Sequence, residues 1–243
     1  QAIDLLLKDL ATQYPERTVR SVDTLAASGG QGLLVWYAAQ KARAGASLEE
    51  VYTWLEENKL HLAHWFTVDD LMFLWRGGRV SKTSAWAGTI LNIKPVMHVD
   101  DEGHLIPLEK VRGRKKSLIA LVDHMDGSAI RPVEDQMVFI THGDCIEDAE
   151  FVADLVRSRF GVRDVVINYV DPVIGAHSGP GTMALFFLAD EEKAVQKIGG
   201  AVIPELGRQL GLIDPNVFKF CWIVDFPMFE LDEETGATIF SHN

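Results

Sequence analysis

Cysteine is nearly absent: the 243 residues hold two, Cys145 and Cys221, with no C-x-x-C spacing and no clustered histidine beside them. That excludes a disulfide framework and a zinc module of the usual spacing, and a reducing, cytoplasmic setting is the expectation. No apolar run approaches the roughly 18 residues a membrane span requires, and no signal peptide opens the chain. There is no G-x-G-x-x-G and no Walker loop, no cofactor motif of another kind, and no nucleophile beside a base at a spacing that marks one. Cations are in deficit: 23 Lys and Arg stand against 35 Asp and Glu, for a net charge of -12. A surface of that sign disfavours broad binding to nucleic-acid phosphates. The first residue is Gln1 within a helical pattern, so the chain reads as a fragment that lacks its own N-terminus.

With 47% hydrophobic and 24% charged residues, the composition is globular. Helical periodicity covers residues 2–13, with Ile3, Leu6, Leu7 and Leu10 on one face. A β-branched strand is expected at 18–22, a glycine turn at 28–32 and an apolar helix at 32–43. Ser47 and Glu50 form a capping box that opens a helix to about Asn58. Strands are expected at 60–67, 93–99, 104–107, 136–142, 165–170 and 182–188. The strand at 165–170 is expected to be fully buried. Helices are expected at 69–75, 82–91, 118–125 and 146–160, the last stopped by Gly161, and residues 175–181 as a glycine loop. Strands alternating with helices make this an α/β fold.

Three stretches carry site-like chemistry. Ser28-Gly29-Gly30 stands where a turn enters a helix, so backbone N–H groups and the Ser28 hydroxyl could hold an anion; a tight turn without ligand fits the spacing equally. His177 and Ser178 lie between two apolar strands, where His177 could donate to a carboxylate; a turn shaped by Pro180 and Gly181 is the plainer reading. Between Lys110 and Lys116 five of seven residues are cations, which suits either a solvated helix start or a patch for an acidic partner. Asp123, His124 and Asp126 could ligate a metal, but surface polarity on a helix accounts for them and no metal site is assigned. Residues 141–144 follow a strand and could hold a site or simply end it.

Five segments, in order, resemble the DegV family: the Val22 to Gly32 segment, Gly77-Gly78-Arg79-Val80-Ser81, Leu91-Asn92-Ile93-Lys94-Pro95, the Lys110 to Lys116 stretch, and His177-Ser178-Gly179-Pro180-Gly181-Thr182. The resemblance implies a two-domain α/β protein that buries a long-chain fatty acid and is not an enzyme. The bound carboxylate is presented to a fatty acid kinase. It further implies carboxylate contacts from Ser28, Gly29, His177 and Ser178, and a partner-docking surface from Arg112, Arg114 and Lys115. Residues 1–75 would be the remainder of the N-terminal domain, whose first strand and carboxylate loop are read as absent, and 76–189 the C-terminal domain.

The segment 190–243 has a different character. Phe220-Cys221-Trp222-Ile223-Val224-Asp225-Phe226-Pro227 and Phe240-Ser241-His242-Asn243 resemble bacterial aspartyl-tRNA synthetase where its inserted domain re-enters the catalytic core. That resemblance implies a foreign α+β tail joined at the strand Leu185-Phe186-Phe187-Leu188-Ala189-Asp190, with His242 near an amino-acid pocket. It lacks the ATP-binding motifs and is inactive alone, with no nucleic acid bound. The alternatives for the whole are therefore a ligase fragment or a chimeric chain without activity.

Overall fold

In the computed structural model the described residues are 2–81, 92–189, 229–231 and 238–240. The chain divides into two compact units, Gln1–Gln196 and Lys197–Asn243. The expected boundary at 75/76 falls inside the first unit. The expected helix at 82–91 and nearly all of the expected tail lie outside the described residues. Of the second unit only a short hairpin is described, Phe229–Leu231 paired with Thr238–Phe240.

The first unit is built on a six-stranded mixed sheet. Its strands are β1 (Leu62–Thr67), β2 (Ile93–Val99), β3 (Leu105–Arg112), β4 (Met137–His142), β5 (Asp164–Tyr169) and β6 (Met183–Leu188). They lie in the order β3-β2-β1-β6-β4-β5. Only the β4–β5 pair is parallel; the others are antiparallel. The described helices of this unit are α1 (Ala2–Gln13), α2 (Gly29–Arg43), α3 (Leu48–Asn58), α4 (Leu71–Arg76), α5 (Arg114–Ser128), α6 (Ile146–Phe160) and α7 (Pro172–Ser178).

Helices cover both sheet faces. Alternation along β6 sends Met183, Leu185 and Phe187 into a core with Leu118, Leu121 and Met125 of α5 and Val152 and Val156 of α6. Ala184, Phe186 and Leu188 enter a second core with Leu33 and Leu34 of α2 and Leu71 and Leu74 of α4. A strand buried on both faces carries an unbroken apolar run, and all six residues of β6 are buried. Gln136 seals the end of this strand. Its amide donates to the Ile130 and Leu188 carbonyls at 2.7 and 2.9 Å, and its Oε1 accepts from the Leu188 N–H at 2.9 Å.

Several expectations change. Residues 18–22 form no strand; β propensity without a partner ladder does not make one. α2 starts inside the glycine turn, at Gly29 rather than Gly32. β3 runs to Arg112, beyond the expected end at 107, because a sheet-edge strand can alternate polar and apolar residues and tolerate Pro107. α5 begins at Arg114 and is longer than expected. β5 is an edge strand with Asn168 and Tyr169 exposed, not a fully buried one. Residues 172–178 are helical, not a glycine loop: Asp171 caps the helix by accepting from the Val173 and Ile174 N–H groups at 3.0 and 3.1 Å, and Pro172 occupies its first position.

Candidate functional site

A cavity of about 260 Å3 opens outside the carboxyl ends of β1, β4 and β5, beside Ala27 and Ser28, which lead into α2. In α/β sheets ligands collect at such a crevice. Its walls are mostly apolar: Phe66, Leu74, Val99, Leu105, Val173, Ile174, Ala184 and Phe186. Ser28, Thr141, His177, Ser178, Thr182, Arg79 and His64 add polar groups. Apolar walls with a few placed polar groups are what a small-molecule site requires.

The glycine turn determines how closely α2 approaches the sheet. A Cβ at Gly29 would stand 2.8 Å from Thr141 Cγ2 and 2.9 Å from Phe186 Cε2. At Gly30 a Cβ would meet Phe186 at 3.0 Å and the His64 ring at 3.2 Å. Only glycine lets the helix start rest on β1, β6 and β4. Ser28 precedes it with φ 53° and ψ -133°, a left-handed backbone that a non-glycine residue rarely adopts. Its hydroxyl does not cap its own helix; it donates instead to Thr141 Oγ1 at 3.2 Å.

The residues singled out in the sequence fall in two places. Ser28, Gly29, His177 and Ser178 come together at or beside the cavity. The His177 ring packs on Gly77, which brings the end of α7 against the end of α4. Ser178 lines the cavity, but its hydroxyl donates to the Ile174 carbonyl at 2.9 Å within its own helix. Arg112, Arg114 and Lys115 lie at the junction of β3 and α5. Arg112 and Lys115 are exposed, and the Lys115 ammonium sits 5.2 Å from the Phe151 ring centroid. Arg114 is turned inward. Its Nε donates to Asp148 Oδ2 at 2.7 Å, its Nη2 lies 3.5 Å from Cys145 Sγ, and its Nη1 is 3.5 Å from Asp69 Oδ1. The last is a charge pairing rather than a hydrogen bond, since Nη1 is buried without a bonded acceptor. Asp69 also pairs with Lys94 at 2.8 Å and borders Gly181. Burial pushes the Cys145 thiol pKa up, a rise opposed by the Arg114 charge.

Asp123, His124 and Asp126 do not converge. Asp123 pairs with Arg159, while His124 stacks on Trp65 with ring centroids 3.6 Å apart and faces Glu109 at 2.6 Å. Among the described residues no cluster of three or more metal-ligating side chains exists. Residues 141–144 end β4, and there Thr141 turns out to belong to the cavity.

Sequence reasoning missed two lining residues, Arg79 and His64. Arg79 bends back so that its guanidinium donates to the Gly77 carbonyl. His64 is 7% exposed, its Nε2 has no hydrogen-bond partner, and burial together with the nearby His98 lowers its pKa to about 4. The ring is therefore neutral at pH 7. The only trace of it in the sequence is a histidine on the cavity-facing alternation of β1, otherwise Leu62 and Phe66.

Residues 6–190 match the model of a family described as "Uncharacterised protein, DegV family". A DegV domain-containing protein of Clostridium perfringens is 48% identical over 186 residues, which is 76% of this chain and 64% of that protein. The crystal structure of a DegV family protein from Ruminococcus gnavus with vaccenic acid superposes with a TM-score of 0.67 at 27% identity, covering 74% of this chain and 63% of that one. One from Thermus thermophilus, described by its fatty acid binding, gives a TM-score of 0.64 at 29% identity, covering 75% and 65%. The chain thus spans a little under two thirds of the length of these relatives.

Proposed function

The chain belongs to the DegV family, and from that membership we propose that it binds one long-chain fatty acid in the cavity beside Ser28. The observation that carries this reading is a cavity lined mostly by apolar side chains with a few polar groups among them. Phe66, Leu74, Val99, Leu105 and Phe186 offer surface to an acyl chain, and each buried methylene contributes about 0.8 kcal/mol. A carboxylate buried with the chain needs donors. Ser28, Thr141, His177 and Arg79 are donors that the cavity lining offers it. The R. gnavus and T. thermophilus relatives, described with vaccenic acid and with fatty acid binding, support the ligand class.

In this reading the chain is a carrier without catalytic residues. Its cytoplasmic partner would be a fatty acid kinase that phosphorylates the presented carboxylate, docking on exposed Arg112 and Lys115. For residues 190–243, whose match to the family stops at 190, the proposal remains a segment similar to aspartyl-tRNA synthetase, inactive alone. Native mass spectrometry of the purified chain with lipid extraction tests the carrier. A fatty acid bound one to one supports it. No bound lipid, and none taken up on addition, overturns it. Aspartyl-adenylate formed from ATP and aspartate would overturn the inactive tail.

A further inference from the structure

We propose that Thr141 is a carboxylate-contacting residue, acting with Ser28 as a paired hydroxyl that gives the cavity its preference for an acid over other acyl head groups; this rests on the fatty-acid-carrier reading. Ser28 stands at the N-cap of α2, where a serine ordinarily accepts from its own helix. Ser47 does this at the start of α3, accepting from the Glu50 N–H at 3.3 Å. Ser28 departs from the pattern: its backbone is in the left-handed region, it makes no cap bond, and its hydroxyl reaches across to Thr141 Oγ1 at 3.2 Å. The first turn of α2 is thereby left without a side-chain cap, and the Ser28 hydroxyl is turned to the residue that lines the cavity beside it.

Each hydroxyl has one proton and two acceptor sites. When Ser28 donates to Thr141, the proton still available to an acceptor in the cavity belongs to Thr141. A carboxylate, which only accepts, therefore meets Thr141 as donor, while Ser28 holds Thr141 in place. Thr141 is the buried member of the pair: it is 3% exposed, Ser28 is half-buried, and the Thr141 Cγ2 lies against the Gly29 backbone. A charge-assisted bond formed there is strong because water does not compete. His64, buried in the same cavity wall with its Nε2 unpartnered, is a second sign that this wall is completed by a polar ligand.

The test is the affinity of the purified chain for palmitate and for 1-hexadecanol, measured on the unmodified protein and on Thr141→Val, which keeps the methyl that supports Gly29. Loss of one charge-assisted bond should weaken palmitate about tenfold or more and leave hexadecanol within about twofold. Thr141→Ser should restore palmitate binding, and Ser28→Ala with Thr141→Val should cost no more than the worse single change. Should Thr141→Val not fold, Thr141→Ala carries the same comparison. Unchanged palmitate affinity, or equal loss for acid and alcohol, overturns the role of Thr141 and leaves the carrier standing. Failure of the unmodified chain to bind either ligand overturns both.

Discussion

The His64 ring stands edge-on to Phe186, centroids 5.8 Å apart, in a wall that offers its Nε2 no partner. Protonation there would bury an unpaired charge close to the positive end of the α2 dipole. The folded pKa, about 4, lies below the ordinary histidine value near 6.5. The unfolded chain therefore binds the proton first as pH falls, and folding loses stability through that window. The contribution is fully present above about pH 6.5 and declines toward pH 4, by on the order of 3 kcal/mol in total. Urea midpoints measured from pH 7.5 to 4 should show this decline. His64→Leu should flatten it, and an equally steep decline in that variant would remove His64 as the cause.

Gly29→Ala places a methyl 2.8 Å from Thr141 Cγ2 and 2.9 Å from Phe186 Cε2. Either the helix start lifts or the sheet side chains shift, at a cost of about 1–3 kcal/mol. The thermal midpoint should fall by roughly 2–12 °C for a unit of this size. An unchanged midpoint would show that α2 does not rest on the sheet this closely.

Gln136 makes three hydrogen bonds that close the end of β6. Gln136→Leu leaves the Leu188 N–H and carbonyl and the Ile130 carbonyl without this partner, and is expected to cost about 2–4 kcal/mol. Hydrogen exchange of the Leu188 amide should accelerate by a similar free energy. Exchange at the unmodified rate would mean that another acceptor serves that amide.

Arg114, Arg112 and Lys115 should separate by their roles. Arg114→Met removes pairing with Asp148 and Asp69 from a side chain 21% exposed and is expected to destabilise by about 1–2 kcal/mol, less at high salt. Arg112→Ala and Lys115→Ala, both at exposed positions, should leave the midpoint within about 0.5 kcal/mol. Equal effects of all three in a denaturation series would contradict the inward placement of Arg114.

The fold was most legible where periodicity and punctuation agree. α6 runs from Ile146 to the left-handed Gly161 that ends it, and the Ser47–Glu50 capping box opens α3 as its spacing indicates. It was least legible where tertiary context decides. Residues 165–170 read as a buried strand from their apolar run, yet the strand, Asp164–Tyr169, lies at the sheet edge with half of its residues exposed. The start of α7 was marked by Asp171-Pro172, but two glycines nearby outweighed that signal. At the site, Ser28 and His177 were visible as loop residues because motif and chemistry coincide there. Thr141 was visible only as part of a strand end that could hold a site, and His64 was not visible at all, because their place in the cavity depends on strand register: His64 pairs with Phe186, and Thr141 with Ala184. No local spacing encodes which strands become neighbours.

The neighbours of β1 also bear on how the unit is made. Its one edge pairs with β2, about thirty residues downstream, while its other edge waits for β6, with Leu62 opposite Leu188. On a ribosome, a strand carrying Trp65 and Phe66 therefore remains open along one side until most of this unit has been synthesised. Its exposed N–H and carbonyl row is a template for pairing with another nascent chain. The central place of β1 in the finished sheet thus makes it an aggregation hazard during synthesis, one that ends only when β6 closes over it.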